Sequence, residues 1–211
     1  MHTTVFLNEA VAALEVAPGR MYIDATFGEG GHARLIAERG GKVLGIDADP
    51  VQARKENGLK VICGNFADIA EIAGREDLSQ VDGVIFDFGL SMVQLKTGGK
   101  GLSYKEDEES LDMRLGSEGM TAAEYLNQAL DGQLVDDLTR YSEDLHSAQI
   151  AHAIVRYRQE KEIETVGDLK KIIDHAIIYS GSQETYARIF QGLRIIVNNE
   201  LEVIKKGLAG A

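Results

Sequence analysis

Two aspartates, Asp47 and Asp87, each close a short apolar run of the length expected for a buried strand. A carboxylate at the carboxyl end of a parallel strand commonly binds the ribose of a nucleotide. A third aspartate, Asp24, closes a similar run near a glycine-rich loop, FGEGGH (27–32). Glycines permit positive φ angles and a close approach of a ligand to the backbone. We therefore expect the three carboxylates to face one ligand-binding crevice at an edge of a parallel sheet.

The glycine-rich loop by itself fits two kinds of cofactor. Gly28-x-Gly30-x-x-Ala33 satisfies the loose fingerprint of dinucleotide-binding proteins. The same geometry serves S-adenosylmethionine, whose carboxylate, rather than a pyrophosphate, would meet the loop and the start of the following helix. A tight turn that binds no ligand is the third possibility. The pattern of glycines does not choose among the three.

Asp87, Phe88 and Gly89 form the tripeptide that holds a magnesium ion in protein kinases. The chain lacks the other kinase signatures, the His-Arg-Asp catalytic loop and the Val-Ala-Ile-Lys strand. Its 5 histidines also show no spacing typical of metal ligands. We therefore predict no metal site and interpret Asp87 as a carboxylate on the cofactor side of the crevice.

Strand-like and helical patterns alternate in the first half of the chain. Apolar runs rich in β-branched residues predict strands at 20–26, 42–49, 59–65 and 81–89. Helical patterns occupy the segments between them, so the strands should lie parallel, with right-handed crossovers. The first half therefore predicts a parallel α/β domain.

The second half predicts helices without a convincing strand. Thr121 and Glu124 have the spacing of a capping box at the start of one helix. Longer amphipathic patterns follow at 142–162, 165–177 and 185–210. The expected architecture is an α/β sheet domain interrupted by helices.

We expect two domains from these patterns. Residues 1–104 and 186–211 should form the α/β domain that binds the cofactor. Residues 105–185, which begin with the acidic segment KEDEES, should form an all-helical insertion that binds the substrate. The last helix should return to the sheet.

Composition narrows the functional classes. Asp and Glu number 34 against 22 Lys and Arg, which gives a net charge of −12 and counts against broad binding to phosphate backbones. The single Cys63 cannot form an internal disulfide, so a cytoplasmic location is the default. No apolar run is long enough to cross a membrane, and the first residues lack the features of a secretory signal.

Seven stretches of the chain resemble, in order, the successive motifs of the ribosomal RNA cytosine-N4 methyltransferases, the RsmH/MraW family. They are HTTVFLNEAV (2–11), YIDATFGEGGHARLI (22–36), GIDADP (45–50), DFGLSMVQL (87–95), KGLSY (100–104), SLDMRL (110–115) and RIFQGLRIIVNNELE (188–202). The resemblance implies a Rossmann-like class I methyltransferase sheet, with strand order 3-2-1-4 in this chain, and an all-helical insertion. It also implies S-adenosylmethionine as the cofactor.

The resemblance assigns roles to individual residues. Gly30, Gly31 and His32 would contact the methionine part of the cofactor. Asp47 would hold the ribose and Phe66 would pack on the adenine. The remaining matches to cofactor-contacting positions are Asp87 and Gln94.

The implied reaction is methylation of the exocyclic amine of a cytidine in 16S ribosomal RNA. The target base must leave its stack and enter a pocket. A hydrogen-bond acceptor must hold the amine and take up its proton. Ser91 and Asp112 are our candidates for this role, while Arg114 is expected either to bind a phosphate or to lock Asp112.

The chain departs from the family pattern in the motifs on the substrate side and in the motifs that follow the last helix. On the substrate side, the family's YGEER is replaced by YSEDL (141–145), which loses an arginine and a glycine. The family also continues with a PGGRL strand and a SFHSLEDR motif, whereas this sequence stops at Ala211. We therefore expect an open edge at strand 84–88, covered in a homodimer or by a complementing chain. The alternatives are a non-catalytic or partner-dependent homologue that binds S-adenosylmethionine, and an NAD-dependent oxidoreductase.

Overall fold

The computed structural model describes residues 6–53, 58–90, 99–177 and 183–211, which fall into two compact units. The first unit contains the described residues up to 90 together with 201–211, and the second contains those from 99 to 200. The expected helical insertion, 105–185, lies inside the second unit, which extends beyond it on both sides.

The elements of the first unit alternate between strands and helices, as the sequence predicts. In chain order they are α1 (Leu7–Ala13), β1 (Met21–Asp24), α2 (Gly31–Glu38), β2 (Lys42–Asp47), α3 (Pro50–Ala53), β3 (Lys60–Cys63), a 3-10 helix (Phe66–Asp68), α4 (Ile69–Arg75) and β4 (Gly83–Ile85). The helices of the second unit are α5 (Ala122–Gln128), α6 (Asp131–Ser142), α7 (Ser147–Tyr157), α8 (Val166–Ala176) and α9 (Gln183–Asn198), and α10 (Glu200–Gly210) follows them.

The sheet is parallel and has the order β3-β2-β1-β4, which confirms the predicted Rossmann-like order 3-2-1-4. Ile23 of β1 lies in register with Leu44 of β2 and with Val84 of β4. In a parallel sheet the crossover helices cover both faces, which is why the sequences of the central strands are almost continuously apolar. The carboxyl ends of β1 and β2 place Asp24 and Asp47 at the same edge.

Strand β4 is shorter than the predicted strand at 81–89. It pairs with β1 only over Gly83–Ile85, because β1 itself ends at Asp24, the partner of Ile85. Asp87 therefore follows the strand instead of ending it. Among the described residues, no strand pairs with the other edge of β4.

The predicted last helix, 185–210, is divided in two. Asn199 has φ 48°, a left-handed conformation that asparagine tolerates better than most residues, and it separates α9 from α10. In the first unit, α10 packs closely on the 3-10 helix, where Gly207 lies against the ring of Phe66. Nζ of Lys206 also lies 2.7 Å from a carboxylate oxygen of Asp68.

The second unit has a helical core of its own, formed mainly by leucine and isoleucine side chains of α5 to α9. Thr121 and Thr165 form complete capping boxes with Glu124 and Asp168, and the first of these confirms the sequence prediction. The helix predicted over 142–162 is wrong at both ends, since the observed helix ends at Tyr157. Helix α6 ends at Ser142, and α7 begins only at Ser147.

The described helices include none that is long and apolar enough to cross a membrane.

Candidate functional site

The glycine-rich loop after β1 adopts the conformation that its glycines permit. Gly28 and Gly30 have φ angles of 52° and 74°, and Gly30 is the N-cap of α2. One hydrogen bond joins the loop to β2: the N–H of Phe27 donates to the carbonyl of Ile46 at 2.9 Å. A second closes the loop on itself: the N–H of Gly30 donates to the carbonyl of Phe27 at 2.7 Å. The loop is thereby held against the strand that ends in Asp47.

Asp24 is enclosed beneath this loop. Its Oδ1 accepts the N–H of Thr26 at 3.4 Å and its Oδ2 accepts the N–H of Ala33 at 3.1 Å. Burial raises the pKa of Asp24 to about 7, since the two N–H donors offset only part of that effect and the charges of Asp47 and Asp87 add to it. The expectation that all three aspartates face a crevice is wrong for Asp24, because both its oxygens are turned to backbone amides in a buried position.

Asp47, the last residue of β2, is tied to the same loop. Its Oδ2 accepts the N–H of Gly28 at 2.7 Å, and its Oδ1 accepts the N–H of Asp49 at 2.8 Å. Burial raises the pKa of Asp47 above its ordinary value. Each carboxylate oxygen has a second lone pair, so both can still accept a hydroxyl hydrogen of a ribose.

Asp87 is exposed, two residues beyond β4. Its backbone N–H donates to Oγ1 of Thr26 at 2.7 Å, which fixes the start of this segment against the loop after β1. In the part of the chain that the structure describes, no ion pair includes Asp24, Asp47 or Asp87. Among the described residues, the carboxylates of Asp47 and Asp87 at this edge of the sheet therefore lack a paired lysine or arginine.

Phe66 follows β3 and belongs to an aromatic cluster. The centroid of its ring lies 5.7 Å from that of Phe86 and 5.6 Å from that of Phe88, and the rings of Phe86 and Phe88 stack at 5.4 Å. Phe88 remains 44% exposed. An exposed aromatic face of this kind suits a planar base such as adenine.

The structure brings most of the predicted cofactor residues into one unit. Gly30, Gly31 and His32 form the start of α2, where His32 is buried. These three share the first unit with Asp47, Phe66 and Asp87. Ser91 and Gln94 lie outside the described residues.

Asp112 belongs to the second unit, where its carboxylate holds Arg114. Nε of Arg114 donates to Oδ1 of Asp112 at 2.7 Å and Nη2 donates to Oδ2 at 2.9 Å. This hydrogen bonding by Arg114 lowers the pKa of Asp112. Nη1 of Arg114 donates to the carbonyls of Ser117 and Gly119, at 3.2 and 3.1 Å. Two roles were expected for Arg114, and the structure shows the second: its guanidinium group holds the carboxylate of Asp112 in place.

Two residues that pack against the glycine-rich loop, Phe27 and Gly45, were not predicted from the sequence. The ring of Phe27 is buried and lies against Gly30 of the loop and Gly45 of β2. An isolated glycine inside an apolar strand signals a close approach by another group, so Gly45 was the available clue.

Comparison with known proteins assigns the chain to a family. The sequence profile of the MraW methylase family matches residues 1–211. The ribosomal RNA small subunit methyltransferase H of Deinococcus radiodurans is 40% identical over all of this chain, which spans 69% of that protein. The proteins of the same name from Deinococcus deserti and Sphingopyxis alaskensis are 39% and 34% identical over all of this chain, which spans 72% and 66% of their lengths. The chain belongs to the MraW methylase family.

Proposed function

We propose that this chain is an S-adenosylmethionine-dependent methyltransferase that acts on N4 of a cytidine in 16S ribosomal RNA. Family membership supports the general reaction, and the relatives' names supply the ribosomal RNA substrate. A protein with this substrate would work in the cytoplasm. The proposal assigns Gly30, Gly31 and His32 to the methionine part of the cofactor, Asp47 to the ribose and Phe66 to the adenine.

The observation that carries the cofactor assignment is the charge of the sheet edge. The carboxylates of Asp47 and Asp87 lack a paired lysine or arginine among the described residues, and Asp24 is close enough to both for their charges to raise its pKa. S-adenosylmethionine has a sulfonium and an ammonium group, so a negative edge favours it. Its single carboxylate would meet the amide groups at the start of α2.

The same observation counts against NAD. A pyrophosphate on the glycine-rich loop would lie near these carboxylates and near Glu29, which belongs to the loop itself. Arg34, a basic side chain beside the loop, donates to the carbonyl of Glu29. The loop therefore offers little compensation for the charge of a pyrophosphate.

The chemistry requires the chain to hold an amine in line with the methyl group. When bound, S-adenosylmethionine supplies that methyl group as an electrophile on its sulfonium. Asp87 is exposed and its backbone is fixed by Thr26, so its carboxylate is available to a cationic group or an amine. Fixing the two reactants in this way should supply much of the rate.

Ser91 and Asp112 remain our proposed catalytic residues, but the two proposals rest on different kinds of support. Both oxygens of Asp112 accept hydrogen bonds from Arg114, and the low pKa that results makes this carboxylate a weak base. In that state it can orient an amine more readily than it can take up a proton. Ser91 is proposed on the family resemblance alone.

A second candidate function is that of a non-catalytic or partner-dependent homologue that binds the same cofactor. Among the described residues, the outer edge of β4 has no strand partner, which favours this function because unpaired backbone N–H and C=O groups invite another strand. A homodimer or a complementing chain would supply that strand. Sedimentation of the purified chain, alone and with S-adenosylhomocysteine, measures whether a dimer forms.

Calorimetry with S-adenosylhomocysteine and with NAD tests the cofactor assignment. We expect binding of the first and none of the second, and NAD binding alone would overturn the proposal. Transfer of tritiated methyl groups to small ribosomal subunits tests the reaction. A chain that binds S-adenosylhomocysteine but transfers no methyl group would favour the non-catalytic homologue.

Variants then test the proposed catalytic residues. We expect Asp87→Ala to abolish methyl transfer, because it removes an exposed carboxylate at the cofactor edge. Unchanged transfer in Asp112→Ala would remove Asp112 from the catalytic residues and leave it a structural role.

A further inference from the structure

The phenyl ring of Phe27 lies between two glycines, and both contacts leave no room for a side chain. A Cβ atom added to Gly30 would lie 2.6 Å from Cζ of Phe27, and one added to Gly45 would lie 2.5 Å from Cδ2. The three nearest atoms to a Cβ at Gly45 all belong to this ring. The ring of Phe27 therefore occupies the space that a side chain at Gly45 would need.

The backbone of Phe27, like its ring, contacts both β2 and the glycine-rich loop. Its N–H donates to the carbonyl of Ile46 in β2, and its carbonyl accepts the N–H of Gly30. The next residue, Gly28, donates to the carboxylate of Asp47. Ring and backbone together set the separation between the glycine-rich loop and β2.

We propose that Phe27 is a positioning residue whose ring, held between Gly30 and Gly45, fixes the loop where it can bind the amino-acid part of the cofactor. The ring is 3% exposed, so it acts through the loop and not by touching a ligand. The inference rests on the proposed function, because it assumes a ligand of the S-adenosylmethionine type. The adenosine part is assigned to Asp47 and Phe66, so displacement of the loop should affect the two halves of the ligand unequally.

Two ligands separate these halves. S-adenosylhomocysteine contains the amino-acid part, whereas 5′-methylthioadenosine lacks it. Gly45→Ala should push the ring towards the loop and weaken binding of S-adenosylhomocysteine by about tenfold or more, as expected when a binding group is misplaced. Binding of 5′-methylthioadenosine by the same variant should change by less than about threefold. Calorimetry with the full 211-residue chain measures both.

A rescue experiment tests the role of the ring directly. Phe27→Leu removes the ring that a Cβ at Gly45 would meet, so the double variant Phe27→Leu/Gly45→Ala should bind S-adenosylhomocysteine more tightly than Gly45→Ala alone. Such non-additivity is expected for residues in contact and not for distant, independent sites. If Gly45→Ala does not fold, Phe27→Leu alone still tests the unequal effect on the two ligands.

Two other glycines provide controls. Gly74 of α4 has no atom within 4 Å of an added Cβ, so Gly74→Ala should leave both affinities unchanged. A Cβ at Gly207 would lie 2.6 Å from Cδ2 of Phe66, so Gly207→Ala should displace the ring assigned to the adenine. That variant should weaken both ligands to the same extent.

The outcomes separate the two proposals. If the unmodified chain does not bind S-adenosylhomocysteine, the proposed function fails and the role of Phe27 fails with it. If the unmodified chain binds, but Gly45→Ala and Phe27→Leu weaken both ligands equally, only the role of Phe27 is overturned. An additive double variant also overturns it.

Discussion

The aspartates at the strand ends of the first unit and two aspartates of the second unit have opposite kinds of hydrogen-bond partner. In the first unit, Asp24 and Asp47 accept hydrogen bonds from backbone N–H groups, and burial raises the pKa of both carboxyls. In the second unit, Asp112 and Asp168 hold basic side chains. The pKa of Asp112 is lowered by Arg114, and the pKa of Asp168 is lowered because Lys161 and backbone donors outweigh its burial.

The difference indicates where a ligand is expected. A carboxylate with a raised pKa costs folding free energy when it is ionised, and such groups concentrate at functional sites. A carboxylate whose pKa is lowered by a paired cation contributes to stability when it is ionised, and it has less charge to offer a ligand. We therefore propose that the strand ends of the first unit receive the positive charge of the cofactor, whereas the paired carboxylates of the second unit hold its helices and loops in place.

The largest expected effect comes from Asp24, whose pKa is 3.8 in the reference state and about 7 in the fold. The stability associated with its protonated form is complete below about pH 4 and is lost as the pH rises to about 7. Asp24→Asn cannot ionise, and the donors of Thr26 and Ala33 leave its Nδ2 facing an N–H group at a cost that does not vary with pH. The stability of the variant relative to the unmodified chain should therefore rise with pH over this range. The rise should approach about 4 kcal/mol, the equivalent of the difference in pKa.

Urea unfolding at a series of pH values, followed by circular dichroism, measures the effect of Asp24→Asn. The difference between the two unfolding free energies is compared at each pH, so contributions from other groups cancel. A difference that stays constant from pH 4 to pH 8 would show that Asp24 does not carry the raised pKa.

Asp112 should give a smaller effect with the opposite dependence on pH. Asp112→Asn removes charge-assisted hydrogen bonds to Arg114 and should cost about 2 kcal/mol at pH 7. Because the pKa of Asp112 is lowered in the fold, its contribution is present above the unfolded value of 3.8 and is lost as the pH falls through the folded value. The same urea series measures this loss.

Asp131 provides a matched control for Asp112. Its carboxylate lies 2.6 Å from Nη2 of Arg158, but the Asp131 side chain is 66% exposed. Asp131→Asn should therefore cost less than about 1 kcal/mol. Equal costs in the two variants would mean that the bidentate geometry at Asp112 adds nothing.

The first unit was the more predictable of the two from sequence. Apolar runs that end in Asp24 and Asp47 mark parallel strands, and the strand order follows the family resemblance. The length of β4 was not predictable, because pairing stops where β1 ends although the apolar pattern continues to Phe86. The extent of a strand depends on its neighbour as well as on its own residues.

The second unit shows what local patterns miss. Residues 142–162 continue a helical periodicity, yet the chain leaves the helix at Glu143, whose φ is 53°. The turn is held by hydroxyl groups: Oγ of Ser142 lies 2.7 Å from Oγ of Ser147, which donates to the carbonyl of Asp144 at 2.6 Å. No glycine or proline marks this break in the sequence. The role of Arg114 was equally open, because a sequence does not show which acceptors compete for a guanidinium group.

The smallest expected effect concerns two side-chain amides, one in each unit. Gln52 of α3 is fully buried, and neither its Nε2 nor its Oε1 has a hydrogen-bond partner among the described residues. Both polar atoms of the Asn127 amide in α5 have hydrogen-bond partners. Nδ2 donates to the carbonyls of Ala123 and Ile163, both at 2.9 Å, and Oδ1 accepts the N–H of Ile163 at 3.1 Å. The amide in the first unit should therefore cost stability, and the amide in the second should contribute to it.

Replacing each amide by leucine makes this contrast measurable. Gln52→Leu should raise the free energy of unfolding by about 1 kcal/mol, because it removes buried polar atoms that lack partners. Asn127→Leu should lower that free energy by about 1 kcal/mol or more, because it leaves buried backbone groups of Ile163 without partners. Urea unfolding at pH 7 compares the two variants. If both substitutions destabilise the chain equally, Gln52 has a partner within the fold, and the contrast between the units is confined to their charged groups.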